Sequence, residues 1–233
     1  MFGPLQPTRY DLRFPLFGIP VHVTPWFWAV TVFMGWDLVN HQLYDLLAIW
    51  IACVFVSILI HEFGHAICAQ SFGCPPEIFL YEFGGVAVFR PNYRFTTTRS
   101  VVVSLAGPAA GFLLYGLIYV AAQAVASSAW YANMDPDGQH RVGFFFRQME
   151  WVNLYWGLVN LVPVVPLDGG RVSEAILSRL RPRDGRDLAL KLSVVAAGGM
   201  TIYFGLHHQQ YPAILFGMLC ITNVMALQQR SPW

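Results

Sequence analysis

The sequence predicts an all-α polytopic membrane protein with six transmembrane helices and a short re-entrant β-hairpin after the second helix. Hydrophobic residues make up 56% of the 233 residues and charged residues only 12%, with a mean hydropathy of +0.48. A soluble domain carries about 25% charged residues. Several apolar runs also reach the roughly 20 residues that a helix needs to cross a bilayer, and the basic residues segregate to alternate loops between these runs.

The six spans are expected within one membrane-embedded domain covering residues 1–233, with no appended soluble domain. We place the spans at about 21–39, 46–72, 101–126, 151–167, 188–206 and 213–227. Pro25 falls in the opening turn of the first span, where proline is tolerated. Residues 127–148 are expected to form the longest outer loop, and residues 172–180 an amphipathic turn or two along the membrane surface.

Basic residues give the orientation of the predicted spans. The termini and the loops after spans two and four contain all but two of the 14 Lys and Arg residues, and the exceptions are Arg141 and Arg147. Cytoplasmic loops carry the excess of Lys and Arg. Both termini are therefore expected in the cytoplasm of a multi-pass protein in a cell membrane, that of a prokaryote. The net charge of +1 implies no nucleic-acid partner, and the apolar spans imply a lipid bilayer.

Residues 61–65 read His-Glu-Phe-Gly-His and lie inside the second predicted span. His61 and His65 are four residues apart, so they share one helix face and can bind one metal ion, with Glu62 beside them as a possible base. An ionisable cluster at membrane depth is costly and is a functional-site hypothesis by default. Catalytic zinc takes three protein ligands and leaves one position for water, so a third ligand is expected from another element.

The fourth span offers a candidate for this ligand. Residues 160–171 read Asn-Leu-Val-Pro-Val-Val-Pro-Leu-Asp-Gly-Gly-Arg, and Pro163 and Pro166 cannot continue a regular helix. The helix is expected to open near Asn160 beside a polar cavity, because irregular backbone at membrane depth needs protein or water partners. Asp168 is expected at the edge of this cavity. Spans two and four are both predicted to run inward, so Asp168 and the two histidines all lie near the cytoplasmic ends of their helices. Alone, Asp168 could belong to a helix-ending turn, and Asn160 could join two helices by a hydrogen bond.

These paired motifs resemble the site-2 protease family of intramembrane zinc metalloproteases. The resemblance covers roughly residues 16–175 and includes Phe-Gly-Ile-Pro-Val at 17–21, Phe-Gly-Gly-Val at 83–86 and Ser-Leu-Ala-Gly-Pro at 104–108. It implies one Zn²⁺ per chain. The implied roles are zinc ligands for His61, His65 and Asp168, the catalytic acid and base for Glu62, and stabilisation of the reacting carbonyl for Asn160.

The resemblance implies hydrolysis of a peptide bond in or near a transmembrane helix of a protein substrate, at the cytoplasmic side, as in regulated intramembrane proteolysis. The hairpin residues Gly84, Gly85 and Val86 would receive the substrate as an added strand, and a plain interfacial hairpin is the alternative. A membrane metal-binding or metal-transport protein and an inactive protease-like scaffold are the other functional hypotheses. His22 could approach the metal or have a structural or interfacial role.

Overall fold

The computed structural model describes residues 9–229, and most of them are helical. They belong to two compact units, one with residues 9–93 and 106–157, the other with residues 94–105 and 158–229. In chain order the elements are β1 (Leu12–Leu16), β2 (Ile19–Val23), α1 (Pro25–Met34), α2 (Trp36–Asn40), α3 (Tyr44–Ser71), β3 (Pro76–Tyr81), β4 (Gly84–Phe89), α4 (Thr97–Ala126), α5 (Ala129–Ala132), α6 (Pro136–Asn160), α7 (Asp168–Leu180), α8 (Gly185–Leu206) and α9 (Gln210–Gln228).

The first unit contains a four-stranded sheet in the order β1-β2-β3-β4. The outer pairs β1–β2 and β3–β4 are antiparallel, and the central pair β2–β3 is parallel. Successive side chains of a strand point to opposite faces, and on one face of this sheet the two central strands are buried. Its residues Val21, Val23, Ile78 and Leu80 pack in one core with Phe63 of α3, so the sheet lies directly against the helix that carries the His-Glu-Phe-Gly-His motif.

The sheet corrects the all-α prediction. A hairpin was expected after the second span and is present as β3 and β4, but the strands β1 and β2 were not expected. Val21–Val23 was assigned to the start of the first span, whereas these residues pair with Ile78–Leu80 of β3. A parallel pairing between segments so far apart in sequence leaves little local signal, and a short apolar run fits a strand as well as a helix.

The first predicted span is replaced by two short helices. Thr24 caps α1 by accepting a hydrogen bond from the Phe27 amide, and Pro25 occupies the first turn as expected. The ten residues of α1 reach about 15 Å, half of a bilayer core of about 30 Å. The helix ends at Gly35, where a Cβ atom would lie 2.8 Å from Trp50 Cδ1, so α1 and α3 approach closely at that point.

Four helices are long and apolar enough to cross a membrane, namely α3, α4, α8 and α9, by length and composition among the described residues. They coincide with the predicted spans two, three, five and six. The predicted fourth span corresponds to the second half of α6, which ends at Asn160 where the sequence predicted that the helix opens. The chain is therefore a mostly helical membrane protein with a small β-sheet.

The long outer loop predicted at 127–148 is largely helical. Ser128 caps α5 by accepting from the Tyr131 amide, and Asp135 accepts from the Gly138 amide at the start of α6. Ser and Asp before a helix, with proline in its first turn, are typical start signals. The polar composition of this segment concealed them.

The second unit is built on α8 and α9. The two helices pack together around a core of Val164, Ala197, Phe216 and Leu219. The amphipathic helix α7 is 13 residues long, more than the turn or two that was predicted. Its apolar residues Ile176 and Leu180 are exposed.

Candidate metal centre

The two motif histidines face each other on α3. Their Nε2 atoms are 3.2 Å apart and their ring centroids 4.9 Å apart. Both residues are at most 5% exposed. Because they are four residues apart, one helix turn places both rings on one stripe. The facing Nε2 atoms leave Nδ1 of His61 directed away from His65, so each ring can offer Nε2 to a common ion.

Glu62 lies on a different face of the same helix. A Cβ atom added to Gly85 of β4 would be 2.5 Å from Glu62 Cγ and 2.7 Å from its Oε1. The carboxylate is buried and therefore rests against the backbone of the strand. This position suits a group that acts beside a metal rather than one that binds it.

Asp168 is the first residue of α7 and is 5% exposed. The two glycines that follow it pack against the preceding turn, because a Cβ atom on Gly169 would overlap the Leu161 carbonyl and one on Gly170 the Val164 carbonyl. Asp-Gly-Gly therefore begins a helix, which rules out the helix-ending turn. Asn160, the last residue of α6, is also buried.

His61, His65 and Asp168 form a group that could hold a metal ion. Each offers one ligand atom, and these atoms all lie within 4.8 Å of one another. No second group of three such side chains is found among the residues that the structure describes. Two imidazole nitrogens and one carboxylate oxygen are a donor set that catalytic zinc uses, with the remaining position left for water. The group thus fits zinc.

His22 lies outside this group. It belongs to β2, and its ring stacks on Phe79 of β3 with the centroids 4.6 Å apart and an interplanar angle of 11°. Its Nδ1 atom is buried and makes no hydrogen bond to any described residue. This packing agrees with the structural role that the sequence analysis left open.

Helix α4 also lies against the site, which was not predicted from the sequence. A Cβ atom on Gly107 would overlap Nε2 of His65. One turn further on, a Cβ atom on Gly111 would lie 3.9 Å from His61 Nδ1, an ordinary contact distance. Gly64, between the histidines, also faces α4. A Cβ atom added to Gly64 would lie 2.9 Å from the Cβ atom of Ala110. The Gly-Pro pair at 107–108 inside an apolar run was the available signal.

The family follows from comparison with known proteins. A model of peptidase family M50 matches residues 49–200. This chain belongs to peptidase family M50. The predicted resemblance to the site-2 proteases is confirmed.

Two relatives of this M50 chain are named as zinc metalloproteases. It is 30% identical over 224 residues to the putative zinc metalloprotease sll0528 of Synechocystis, over 91% of this chain and 53% of that protein. It is 28% identical over 175 residues to the zinc metalloprotease MJ0392 of Methanocaldococcus jannaschii, over 73% of this chain and 47% of that protein. The chain thus spans about half the length of these two relatives.

The fold is similar to that of a solved site-2 protease. The site-2 protease from Methanocaldococcus jannaschii aligns with a TM-score of 0.65 at 23% identity. The alignment covers 96% of this chain and 97% of that structure. The likeness supports the fold described above.

We expect Gly107→Ala to weaken zinc binding at least about tenfold, since even residues that only orient a ligand contribute 10- to 100-fold to metal affinity. The added methyl group would displace the His65 ring. Gly111→Ala is the matched control, because its methyl group fits at 3.7 Å or more from its neighbours. Chelator competition on the purified proteins measures both affinities. Equal affinity for the two variants would contradict the close approach of Gly107 to His65.

Proposed function

We propose that this M50 chain is an intramembrane zinc metalloprotease that cleaves a peptide bond in or near a transmembrane helix, at the cytoplasmic side. The observation that carries the proposal is the buried group of His61, His65 and Asp168, with Glu62 one residue from a ligand. Ionisable side chains at membrane depth are expensive and mark functional sites. The proposed zinc ligands are His61, His65 and Asp168, and the proposed catalytic residues are Glu62 and Asn160, as expected from the sequence.

In this proposal His61, His65 and Asp168 would hold zinc, which would supply a Lewis acid for a water molecule and for the peptide carbonyl. Glu62 acts as the general base and takes a proton from the attacking water. Its carboxylic acid then delivers that proton to the leaving amine, so the same side chain serves both halves of the reaction. Burial against the Gly85 backbone limits the positions that the carboxylate can take, which favours a fixed path for the proton.

Asn160 has the role of stabilising the reacting carbonyl. Its amide can donate a hydrogen bond to the oxygen on which negative charge develops. It lies where α6 ends, at the start of the irregular segment 161–167. Donors at helix breaks are held by the surrounding backbone rather than by a continuous helix face.

The strand β4 is the proposed binding surface for the substrate, through Gly84, Gly85 and Val86. It is the last strand of the sheet, and the edge of a sheet can accept an extended peptide as an added strand. Gly84 has φ +117° and packs against Trp156. A Cβ atom added to Gly84 would lie 2.5 Å from Cζ2 of the Trp156 ring. A substrate strand at β4 would lie beside Glu62, which rests on the same strand.

We expect Glu62→Gln to retain zinc near the wild-type content of about one ion per chain while cleavage falls at least about 10²-fold, the usual contribution of a general base. Asn160→Ala should also retain zinc and lose rate less completely, since the metal remains. Single-turnover cleavage of a transmembrane substrate in liposomes, with zinc measured on the same preparations, tests both.

The same variant separates the three functional hypotheses. A metal transporter does not need Glu62 and would still move metal in liposome uptake assays. An inactive scaffold would show no cleavage in the wild-type protein. If Glu62→Gln cleaves at the wild-type rate, the protease mechanism is contradicted.

Gly85→Ala is expected to keep zinc and to slow cleavage about 10²-fold, because a displacement of about 1 Å at a catalytic group has that cost. Its methyl group would push the Glu62 carboxylate from the strand. Val88→Ala, a change on the same strand at an exposed side chain, is the control and should cleave normally. A normal rate for Gly85→Ala would show that β4 does not fix Glu62.

We propose six membrane crossings, with α1 and α2 together as the first, α6 as the fourth and the four membrane-length helices as the others, and with both termini in the cytoplasm of a prokaryotic cell. Basic residues on one side support this orientation. Reporters fused after Asp45, Gln139 and His208 should be outside, and those after Arg94 and Arg183 inside. Paired alkaline phosphatase and fluorescent-protein fusions measure both states. An outside signal at Arg183 would contradict the six-span topology.

A further inference from the structure

The segment 161–167 joins α6 to α7 without helical structure. Its backbone polar groups need partners, since an unsatisfied group is costly when buried. Some are satisfied within the segment: the Val164 amide donates to the Val162 carbonyl at 2.7 Å, and the Leu167 amide to the Val164 carbonyl at 2.8 Å. The amide and the carbonyl of Val165 instead have hydrogen-bond partners outside the segment.

Val165 is held by side chains from two other helices. Its amide donates to Ser193 Oγ of α8 at 3.0 Å. Its carbonyl accepts from Asn223 Nδ2 of α9 at 2.7 Å. Both the amide and the carbonyl of Val165 are therefore hydrogen-bonded, one to α8 and the other to α9. Both helices are long and apolar enough to cross a membrane.

Both side chains are themselves fixed on their helices. Ser193 Oγ donates to the Ala189 carbonyl at 2.8 Å, and Asn223 Nδ2 donates to the Leu219 carbonyl at 2.7 Å. Ser193 is 0% and Asn223 3% exposed. Neighbouring Val164 is also 0% exposed, in the core with Phe216. Buried polar side chains with fixed positions make a rigid support for the segment.

The support at Val165 extends to Asp168. The residues Gly169 and Gly170 bring the start of α7 into direct backbone contact with Leu161 and Val164. The segment and the first turn of α7 therefore pack as one piece, and a shift at Val165 would move the Asp168 carboxylate.

We infer that Ser193 and Asn223 are positioning residues for Asp168, acting through Val165. The inference rests on the proposed function, in which Asp168 is the third zinc ligand. It assigns to α8 and α9 a part in metal binding, although neither helix provides a ligand.

The test uses the full chain in detergent, with zinc affinity measured by chelator competition. Ser193→Ala removes the hydroxyl group, and Asn223→Leu removes the amide at similar volume. Each should weaken zinc binding about 10- to 100-fold, the range for residues that orient a ligand. In cobalt-substituted protein, their visible absorption should shift toward that of Asp168→Ala.

Two threonines on the same helices are matched controls. Thr201 Oγ1 donates to the Ala197 carbonyl of α8, and Thr222 Oγ1 to the Leu219 carbonyl of α9. These bonds resemble those of Ser193 and Asn223 to their own helices and do not involve Val165. Thr201→Val and Thr222→Val should keep wild-type zinc affinity and cobalt absorption.

A double variant separates positioning from general loss of structure. Residues that act through one group have non-additive effects. In the Asp168→Ala background, Ser193→Ala and Asn223→Leu should therefore weaken zinc binding no further. Additive losses would overturn the inference.

The remaining outcomes distinguish the inference from the proposed function. If Asp168→Ala binds zinc like the wild type, the proposed ligand set is wrong and the inference fails with it. If Asp168→Ala weakens zinc binding while Ser193→Ala and Asn223→Leu match the threonine controls, the ligand set stands and the inference alone is overturned.

Discussion

The structure depends on the burial of two imidazole rings side by side on an apolar helix. Polar groups removed from water must be compensated, and in a membrane there is little water to do so. Of the four membrane-length helices, α3 is the most enclosed, with 56% of its most apolar window buried, against 17% for α9. Of these four helices, the one with the highest mean hydropathy thus carries the ionisable residues and is also the most buried within the protein.

Enclosing the histidines requires other backbones to come close to α3. Glycines make this possible at several points: Gly64 on the helix itself, Gly107 on α4 and Gly85 on β4. Small residues let helices approach in membranes, where packing rather than the hydrophobic effect drives association. Around this site they also set where the functional side chains lie, since His65 and Glu62 occupy the space that side chains at Gly107 and Gly85 would fill.

Local signals explain which features could be predicted. The spacing of His61 and His65 follows from helix geometry alone, and the helix end at Asn160 follows from the prolines after it. The strands β1 and β2 could not be predicted in the same way, because β2 pairs with β3 across the three helices α1, α2 and α3. The contact of Gly107 with His65 is also a tertiary feature, invisible until α4 is placed against α3.

Asp168 begins α7 directly after an irregular segment, whereas His61 and His65 lie well inside a continuous helix. A side chain on a continuous helix takes its position from the helix, as those of the two histidines do. Asp168 follows a segment whose proline residues remove two amide donors, so its support comes from side chains instead. Hydrogen bonds between membrane helices contribute only about 1–2 kcal/mol each, and Ser193 and Asn223 lie on helices that are mostly exposed in the described residues. We therefore infer that their value is geometric more than energetic, because two bonds to Val165 would fix the start of α7 and with it the Asp168 carboxylate.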